Sequence, residues 1–350
     1  MIELDPDWAN LMVISDSPLS PYSGLLTGHI AGIYREEEIY IQVGKLTKAA
    51  GGHFIEDSVC GIDFDRREVI TEKRGRFAYD LLSINCGARP KLLPAGGASD
   101  QIIPVKPTKK FQTSFHDFLN GLSPEKSVHI VQIGGGVAGI ECAAGYRRRL
   151  TDLKRAAKIT LIDAHPVLLP GHNGRVRAAV TEMLRRLDIS ILLGDRVASI
   201  DSGVILTENG KRLEFDFAAQ ATPAHVSEWV EGLDLAHLDG FIRVDAYLQT
   251  SRAGVFAAGD VAQNAEKPTA RAGVYAVREA PVLWHNILAT LKQKKLKRFR
   301  PQRNYLNLIM DGHGRAIASR GWFYFPRSRL MWWLKNAIDK KFVTKLNRSR

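Results

Sequence analysis

The six residues Gly134-Gly135-Gly136-Val137-Ala138-Gly139 have the types and spacing to hold a phosphate. An apolar run, Val128–Ile133, leads into them, and a segment with helical spacing (Ile140, Ala143, Ala144, Tyr146, Leu150) follows. A second apolar run, Ile159–Ile162, ends in Asp163, 24 residues beyond Gly139. In a strand–turn–helix–strand unit of this kind Gly134 allows the tight turn, Gly136 the approach of backbone to a pyrophosphate, and Gly139 the close packing of helix on strand. The phosphate charge meets unpaired N–H groups at the helix start. Asp163 is spaced to accept hydrogen bonds from both ribose hydroxyls and to repel a 2′-phosphate, so NADH is expected over NADPH. Arg175 and Arg177, folded back onto that pocket, would reverse the choice. A plain buried turn is the alternative reading of the glycines; the flanking strands and the acid weigh against it.

Other chemistry is sparse. Cys60, Cys86 and Cys142 lie far apart with no CxxC or CxxxxC spacing. That argues against a disulfide framework, a metal site or a redox dithiol, and suits a reducing, cytoplasmic compartment. No signal peptide is visible. The longest stretch free of Asp, Glu, Lys and Arg, Ser17–Tyr34, carries two prolines, three glycines and a histidine, so it is not a membrane span.

The elements that must position these residues can be taken in order. Leu11–Ile14 reads as a buried strand, Leu25–Ile33 as the start of a helix, Ile39–Val43 as a strand and Leu46–Ala50 as a short helix. Phe54–Ile62 with Glu68–Thr71 suggests a small sheet pair, and Tyr79–Pro90 a chain crossover. Beyond the glycine unit, Arg175–Leu187 has helical spacing, and Ile189–Leu193, Val197–Ile200 and Val204–Thr207 are strand-like. Asp216–Pro223 echoes the earlier crossover, giving a weak repeat with turns near 87 and 221. A second glycine block, Gly254-Val255-Phe256-Ala257-Ala258-Gly259-Asp260, precedes a helix over Thr269–Val277.

The net charge of +12 is concentrated at one end. From Leu291 on there are 17 Lys and Arg against two Asp, a local +15 that leaves −3 for the rest. A near-neutral body with a basic tail does not suggest nucleic-acid binding. Tyr305–Ile309 and Arg315–Ser319 can pair around Asp311–Gly314. Leu330–Leu346 reads as an amphipathic helix with Leu330, Trp333, Leu334, Ala337, Ile338, Phe342 and Leu346 on one face, and Lys335, Lys340, Lys341 and Lys345 on its flanks. It either lies on the inner face of the cytoplasmic membrane, packs on the body, or mediates a homodimer.

Taken together, the glycine loop, Glu141, Asp163, the two crossovers and Gly254–Asp260 resemble the two-dinucleotide flavoproteins of the pyridine nucleotide-disulfide oxidoreductase superfamily. Pro21–Gly24, Tyr79–Gly87 and Ala272–Pro281 are similar to the flavoprotein module associated with selenide, water dikinase, a relative of type II NADH dehydrogenases. The resemblance implies two Rossmann-like domains of three-layer ββα type: an FAD domain over 1–125 and 246–305, an NAD(H) domain inserted at 126–245, and an α+β cap over 306–350. It implies that Asp260 holds the ribityl chain of FAD, that a helix starting near Ala276 aims at the flavin N1/C2 carbonyl, and that Tyr22, Gly24, Gly87 and Gly259 line the flavin. Glu141 would sit where nicotinamide meets flavin, unless it merely favours a first helical turn; Lys106 would approach the flavin N5 edge, unless it is a surface lysine. With no cysteine pair, hydride from NADH would pass through FAD directly to a quinone or another diffusible acceptor. The rival expectations are a non-catalytic NAD-binding or membrane-surface protein, and an oxidoreductase of selenium or sulfur metabolism. The strand–GxGxxG–helix with which the family's first domain opens is not found ahead of Leu11, from which poor FAD binding and a late-assigned start are expected.

Overall fold

The computed structural model describes residues 10–91, 93, 101–123 and 126–348. The chain opens with β1 (Met12–Ser15), α1 (Ser23–Ile30), α2 (Val43–Ala49) and β2 (His53–Glu56). β1 and β2 run parallel, with Met12 opposite His53. The strand expected over Phe54–Ile62 is broken at Asp57, whose carboxylate accepts the N–H groups of Ser58, Lys73 and Arg74. Beyond that break Val59–Asp63 joins an antiparallel ladder with Glu68–Thr71 and Gly75–Ala78.

β3 (Leu82–Ile84) pairs in parallel with β9 (Val255–Ala257), far along the chain. Between them lies a five-stranded parallel sheet. Its strands, in spatial order, are β4 (Ile102–Pro104), β8 (Phe217–Gln220), β5 (Val128–Ile133), β6 (Ala157–Asp163) and β7 (Ile189–Leu193). Strands buried on both faces need continuous apolar runs, which is how β5 and β6 read. α3 (Thr108–Asn120), α4 (Val137–Asp152) and α5 (Gly174–Arg186) pack against this sheet in a single core. The ladder Val197–Asp201, Val204–Thr207 and Arg212–Glu214 supplies the apolar side chains of another cluster, shared with Val131, Ile133 and Ile162 of the sheet. This gives the layered α/β architecture expected from the sequence.

A division at 126 would leave β4 and α3 with the preceding segment. The structure puts both with the five-stranded sheet: Ile102 pairs with Ala218, and Phe115 packs 5.5 Å from Phe217 and 5.2 Å from Tyr146. Aromatic pairs at such spacings add about 0.5–1.5 kcal/mol each to the apolar burial. The two crossovers also meet, Arg89–Pro90 pairing antiparallel with Ala224–His225.

α6 spans Gly273–Leu291. It starts later than the sequence suggests and runs on through Pro281, well past Val277. The C-terminal part is a meander of β10 (Asn307–Met310), β11 (Ala316–Arg320) and β12 (Phe323–Ser328), closed by α7 (Arg329–Asn347). The first hairpin pairs as the sequence suggests. Its turn is fixed by buried Asp311, which accepts from the N–H groups of His313 and Arg315 and from Arg327. α7 buries a different face from the one its apolar spacing indicates. Lys335, Asp339 and Val343 point inward, while Leu330, Trp333 and Ile338 face solvent.

Candidate dinucleotide and flavin sites

The glycine turn sits at the C-terminal ends of β5 and β8, where the strand order reverses and open α/β sheets bind ligands. Gly134 has φ +104°, and a Cβ there would lie 2.4 Å from the Ala221 carbonyl oxygen. A Cβ on Gly139 would lie 1.8 Å from the Gly134 oxygen, so turn and helix admit no side chain at either place. Gly136 differs: nothing lies within 4 Å of its Cβ direction, and as N-cap of α4 it offers no side chain to the first N–H groups. The open approach and the free donors fit a pyrophosphate.

Asp163 reaches this turn from the end of β6. Its Oδ2 accepts the Gly135 N–H, while its Oδ1 accepts the His165 N–H at 2.7 Å and lies 2.8 Å from His165 Nδ1. His165 is therefore tied to the acid that reaches the glycine turn. Motif spacing does not single it out; its only signal in the sequence is a polar residue two positions past the acid.

The second site forms beyond β3 and β9, again at C-terminal strand ends. Gly87 lies three residues past β3, and Gly259 and Asp260 follow β9. The Gly259 N–H donates to Glu279 Oε2 at 2.7 Å, and a Cβ on Gly259 would come within 3.5 Å of the Ala276 methyl in the first turn of α6. Burial pushes the Glu279 carboxyl above its usual range, partly offset by that N–H and by Arg271. Lys106 Nζ donates to Asp260 Oδ2 at 2.8 Å. The α6 N-terminus carries no side-chain cap, and Ser23 of α1 comes close to it, 3.7 Å from where a Cβ on Gly273 would sit. A carboxylate, a lysine and an uncapped helix end suit the ribityl and pyrimidine parts of a flavin. Among the described residues the strand–GxGxxG–helix unit occurs once, at 128–139. A cleft of about 420 Å³ leads to this helix end, lined by Thr269, Ala270, Tyr275, His172 and Arg303 among others.

Tyr22, Gly24 and Glu141 come together elsewhere, in a buried charged cluster under α7. Glu141 Oε1 accepts the Met310 N–H at 2.8 Å and Oε2 the Thr27 hydroxyl at 3.1 Å. Lys335 donates to the Gly24 carbonyl and to Asp339 Oδ2, both at 3.1 Å, and the Tyr22 hydroxyl donates to Asp339 Oδ1 at 3.2 Å. Burial raises the Glu141 pKa, and Lys335 pulls it back. Burial would lower that of Lys335, yet Glu141 and Asp339 carry it above its ordinary value. The structure thus sets these three residues against the C-terminal helix, with Tyr22 packed 5.0 Å from Phe342. Lys335, placed on a flank by its spacing, is the central cation here: desolvation is offset by two carboxylates, which spacing alone does not reveal.

Cys142 is buried with its thiol pKa pushed up by desolvation, the reverse of an activated cysteine. Among the described residues all three cysteines are free and no group of side chains could hold a metal ion.

The chain is 29% identical over 183 residues to a dihydrolipoyl dehydrogenase of Chlorobaculum parvum, covering 49% of this chain and 37% of that protein. It is 24% identical over 261 residues to a type II NADH:quinone oxidoreductase of Haemophilus influenzae, covering 64% of this chain and 59% of that one. It therefore spans less than two thirds of either relative. In fold it matches NDH2 from Plasmodium falciparum, solved in complex with NADH, with a TM-score of 0.84 at 14% identity over 97% of this chain and 92% of that one. Residues 15–286 match the model of the pyridine nucleotide-disulphide oxidoreductase family. The chain belongs to that family.

Proposed function

We propose that the protein is an FAD-dependent NADH:acceptor oxidoreductase whose second substrate is a quinone. The observation that carries this reading is the Lys106–Asp260 pair. Lys106 leaves β4, an edge strand of the sheet that bears the glycine turn, and ends on the acid that follows β9. Two sites suited to dinucleotides are thereby joined through one ion pair.

FAD, if held here, would supply two-electron chemistry between NADH and the acceptor; reduction of a quinone would then need the hydride equivalent and one proton from solvent. The protein supplies orientation and charge. The free N–H groups of α4 and the open approach at Gly136 hold the pyrophosphate of NADH. Asp163 accepts from its ribose. Asp260 would accept from the ribityl hydroxyls, Gly87 and Gly259 would leave room for the ring system, and the first turn of α6 at Ala276 would offer positive helix dipole to the pyrimidine. Lys106 adds a positive charge beside Asp260. Glu141 of the glycine helix and Lys335 of α7 are buried ionisable groups facing each other between those helices, able to hold protons away from bulk water. The lack of a paired, activated cysteine favours direct transfer to a diffusible acceptor.

The helix α7 turns Leu330 and Trp333 outward at 58% and 61% exposure, and Trp322 at the β11–β12 turn is 88% exposed. Apolar side chains on a basic tail suit peripheral contact with the inner face of an anionic membrane, where a quinone resides; pairing with a second copy is the competing use. No helix among the described residues is long and apolar enough to cross a membrane. The test is an absorption spectrum of the purified protein with and without NADH: a flavin band that bleaches supports the enzyme, and a colourless protein that still binds NADH supports a non-catalytic role.

A further inference from the structure

We infer that the cleft beside the start of α6 is the acceptor site and that it selects a quinone bearing an acidic group. The quinone ring rests on the function proposed above; the preference for an anion comes from the cleft itself. Its volume of about 420 Å³ is within the usual range for small-molecule sites. The stretches that line it are far apart in the chain: the loop between β6 and α5, the approach to α6, the segment between α6 and β10, and the end of β11. Gly87, Lys106, Gly259, Asp260 and Ala276, the groups suited to a flavin, are not among its lining residues. Thr269, Ala270 and Tyr275 carry it up to the first turn of α6. The cleft therefore adjoins the flavin site and is separate from it.

Its charge is one-sided. Lys267, Arg303 and His172 line it, each with accessible surface, and no carboxylate does. Lys267 Nζ donates to the Pro301 carbonyl at 3.0 Å, which anchors it at the cleft and leaves its other N–H donors free. Arg303 has no carboxylate partner among the described residues. Glu266, next to Lys267 in the chain, is paired with Arg298 instead.

A solvated basic surface would account for Lys267 and Arg303 alone. It does not account for the way His172 is held. His172 Nδ1 lies 3.0 Å from Ser319 Oγ, and its Nε2 has no hydrogen-bond partner among the described residues. The loop that carries it is strained: buried Leu169 has φ +50°, a region costly for a residue with a Cβ, and its carbonyl accepts the His172 N–H at 2.9 Å. Asn173 Nδ2 donates to the Gly321 carbonyl at 3.0 Å and ties the same loop to the C-terminal meander. Half-buried Tyr305 supplies an aromatic wall, set edge-on to Tyr275 at 5.4 Å.

A quinone with an ionised hydroxyl beside its carbonyl uses all of these groups. Its oxygens accept charge-assisted hydrogen bonds from Lys267 and Arg303. A carbonyl accepts from His172 Nε2, and Tyr305 covers the ring. A neutral quinone would leave the two cations without a counter-charge, and phosphate would leave the tyrosine uncovered.

Binding is measured without NADH, so it is read separately from turnover. The full-length protein is titrated with lawsone, a naphthoquinone whose hydroxyl is ionised at neutral pH, and followed by ligand-observed NMR. Dimethyl naphthoquinone serves as the neutral counterpart and inorganic phosphate as the anion without a ring. Saturable lawsone binding is expected, about tenfold tighter than that of the dimethyl compound and weakened about tenfold by Lys267→Gln with Arg303→Gln. Both side chains are exposed, and an unchanged thermal midpoint confirms that the double variant is folded. Tyr305→Leu should weaken both naphthoquinones. No saturable lawsone binding, equal or tighter binding of the dimethyl compound, preference for phosphate, or lawsone binding that the double variant leaves unchanged would each overturn the proposal. Any of these alongside a flavin band that bleaches with NADH would remove the acceptor assignment and leave the oxidoreductase reading intact. Lawsone binding as expected in a protein that takes up no flavin would do the reverse.

Discussion

Lys106 Nζ lies 2.8 Å from Asp260 Oδ2, across 154 residues of sequence. At 44% and 17% side-chain exposure the pair contributes little to stability, about 0–1 kcal/mol. Its importance is positional. It ties the turn that follows β4 to the acid that follows β9, so the edge of one sheet registers against the strand ends of another.

Asp163 predicts the nucleotide preference. A carboxylate facing a 2′-phosphate should cost at least one charged hydrogen bond, roughly 1.5–3 kcal/mol or 10- to 150-fold in kcat/KM. Steady-state turnover should favour NADH over NADPH by that margin, and Asp163→Ser should narrow it. Equal rates with the two nucleotides in the unmodified protein would refute the assignment.

The cluster beneath α7 makes a stability prediction. Lys335→Met leaves Glu141 and Asp339 buried without their cation, a loss of about 3–5 kcal/mol in denaturant unfolding. The double change Lys335→Met with Asp339→Leu should cost less than the single one, because fewer uncompensated charges stay buried. If the double variant is as unstable as the sum of the two single changes, the groups are not coupled.

Acid should destabilise the fold through its histidines. Burial lowers the pKa of His129, His172 and His313, so each stays neutral in the folded chain after its unfolded counterpart has taken a proton. The stability they contribute is complete above about pH 6.5, the ordinary histidine value, and is lost as pH falls through their lower folded values. Glu141 and Glu279 work the other way. Their raised pKa values give stability that is present below the ordinary carboxylate range and fades as pH rises. Thermal midpoints for His129→Gln should therefore fall less steeply between pH 6.5 and 5 than those of the unmodified protein; an unchanged slope would mean that His129 has no part in the acid loss.

The outward face of α7 can be tested without disturbing its buried side. Leu330→Ser with Trp333→Ser leaves Lys335 and Asp339 in place and should reduce sedimentation with anionic liposomes. That binding should also weaken with salt, since each nearby cation contributes about 1 kcal/mol that is screened. Unchanged sedimentation would leave these side chains as a pairing surface.

The glycine turn, its strands and Asp163 are legible in the sequence because backbone geometry restricts those positions to particular residue types. The hairpin around Asp311 is legible for the same reason. Features that depend on distant neighbours are less so. The strand through Asp57 looks continuous until the N–H groups of Lys73 and Arg74 claim its carboxylate. β4 and α3 join their sheet through Phe217, about a hundred residues away. The inward face of α7 runs through Lys335 because two acids from other positions meet it, an arrangement that hydrophobic spacing does not register.

Flavin-dependent oxidation of NADH can be read directly from the absorption spectrum of the purified protein before and after anaerobic addition of NADH, alongside Asp260→Asn. A flavin band, present on purification or after incubation with FAD, that bleaches with NADH and returns with a quinone, and that is diminished in the variant, is the predicted result. A protein that binds NADH without any flavin band, even after incubation with FAD, would contradict it.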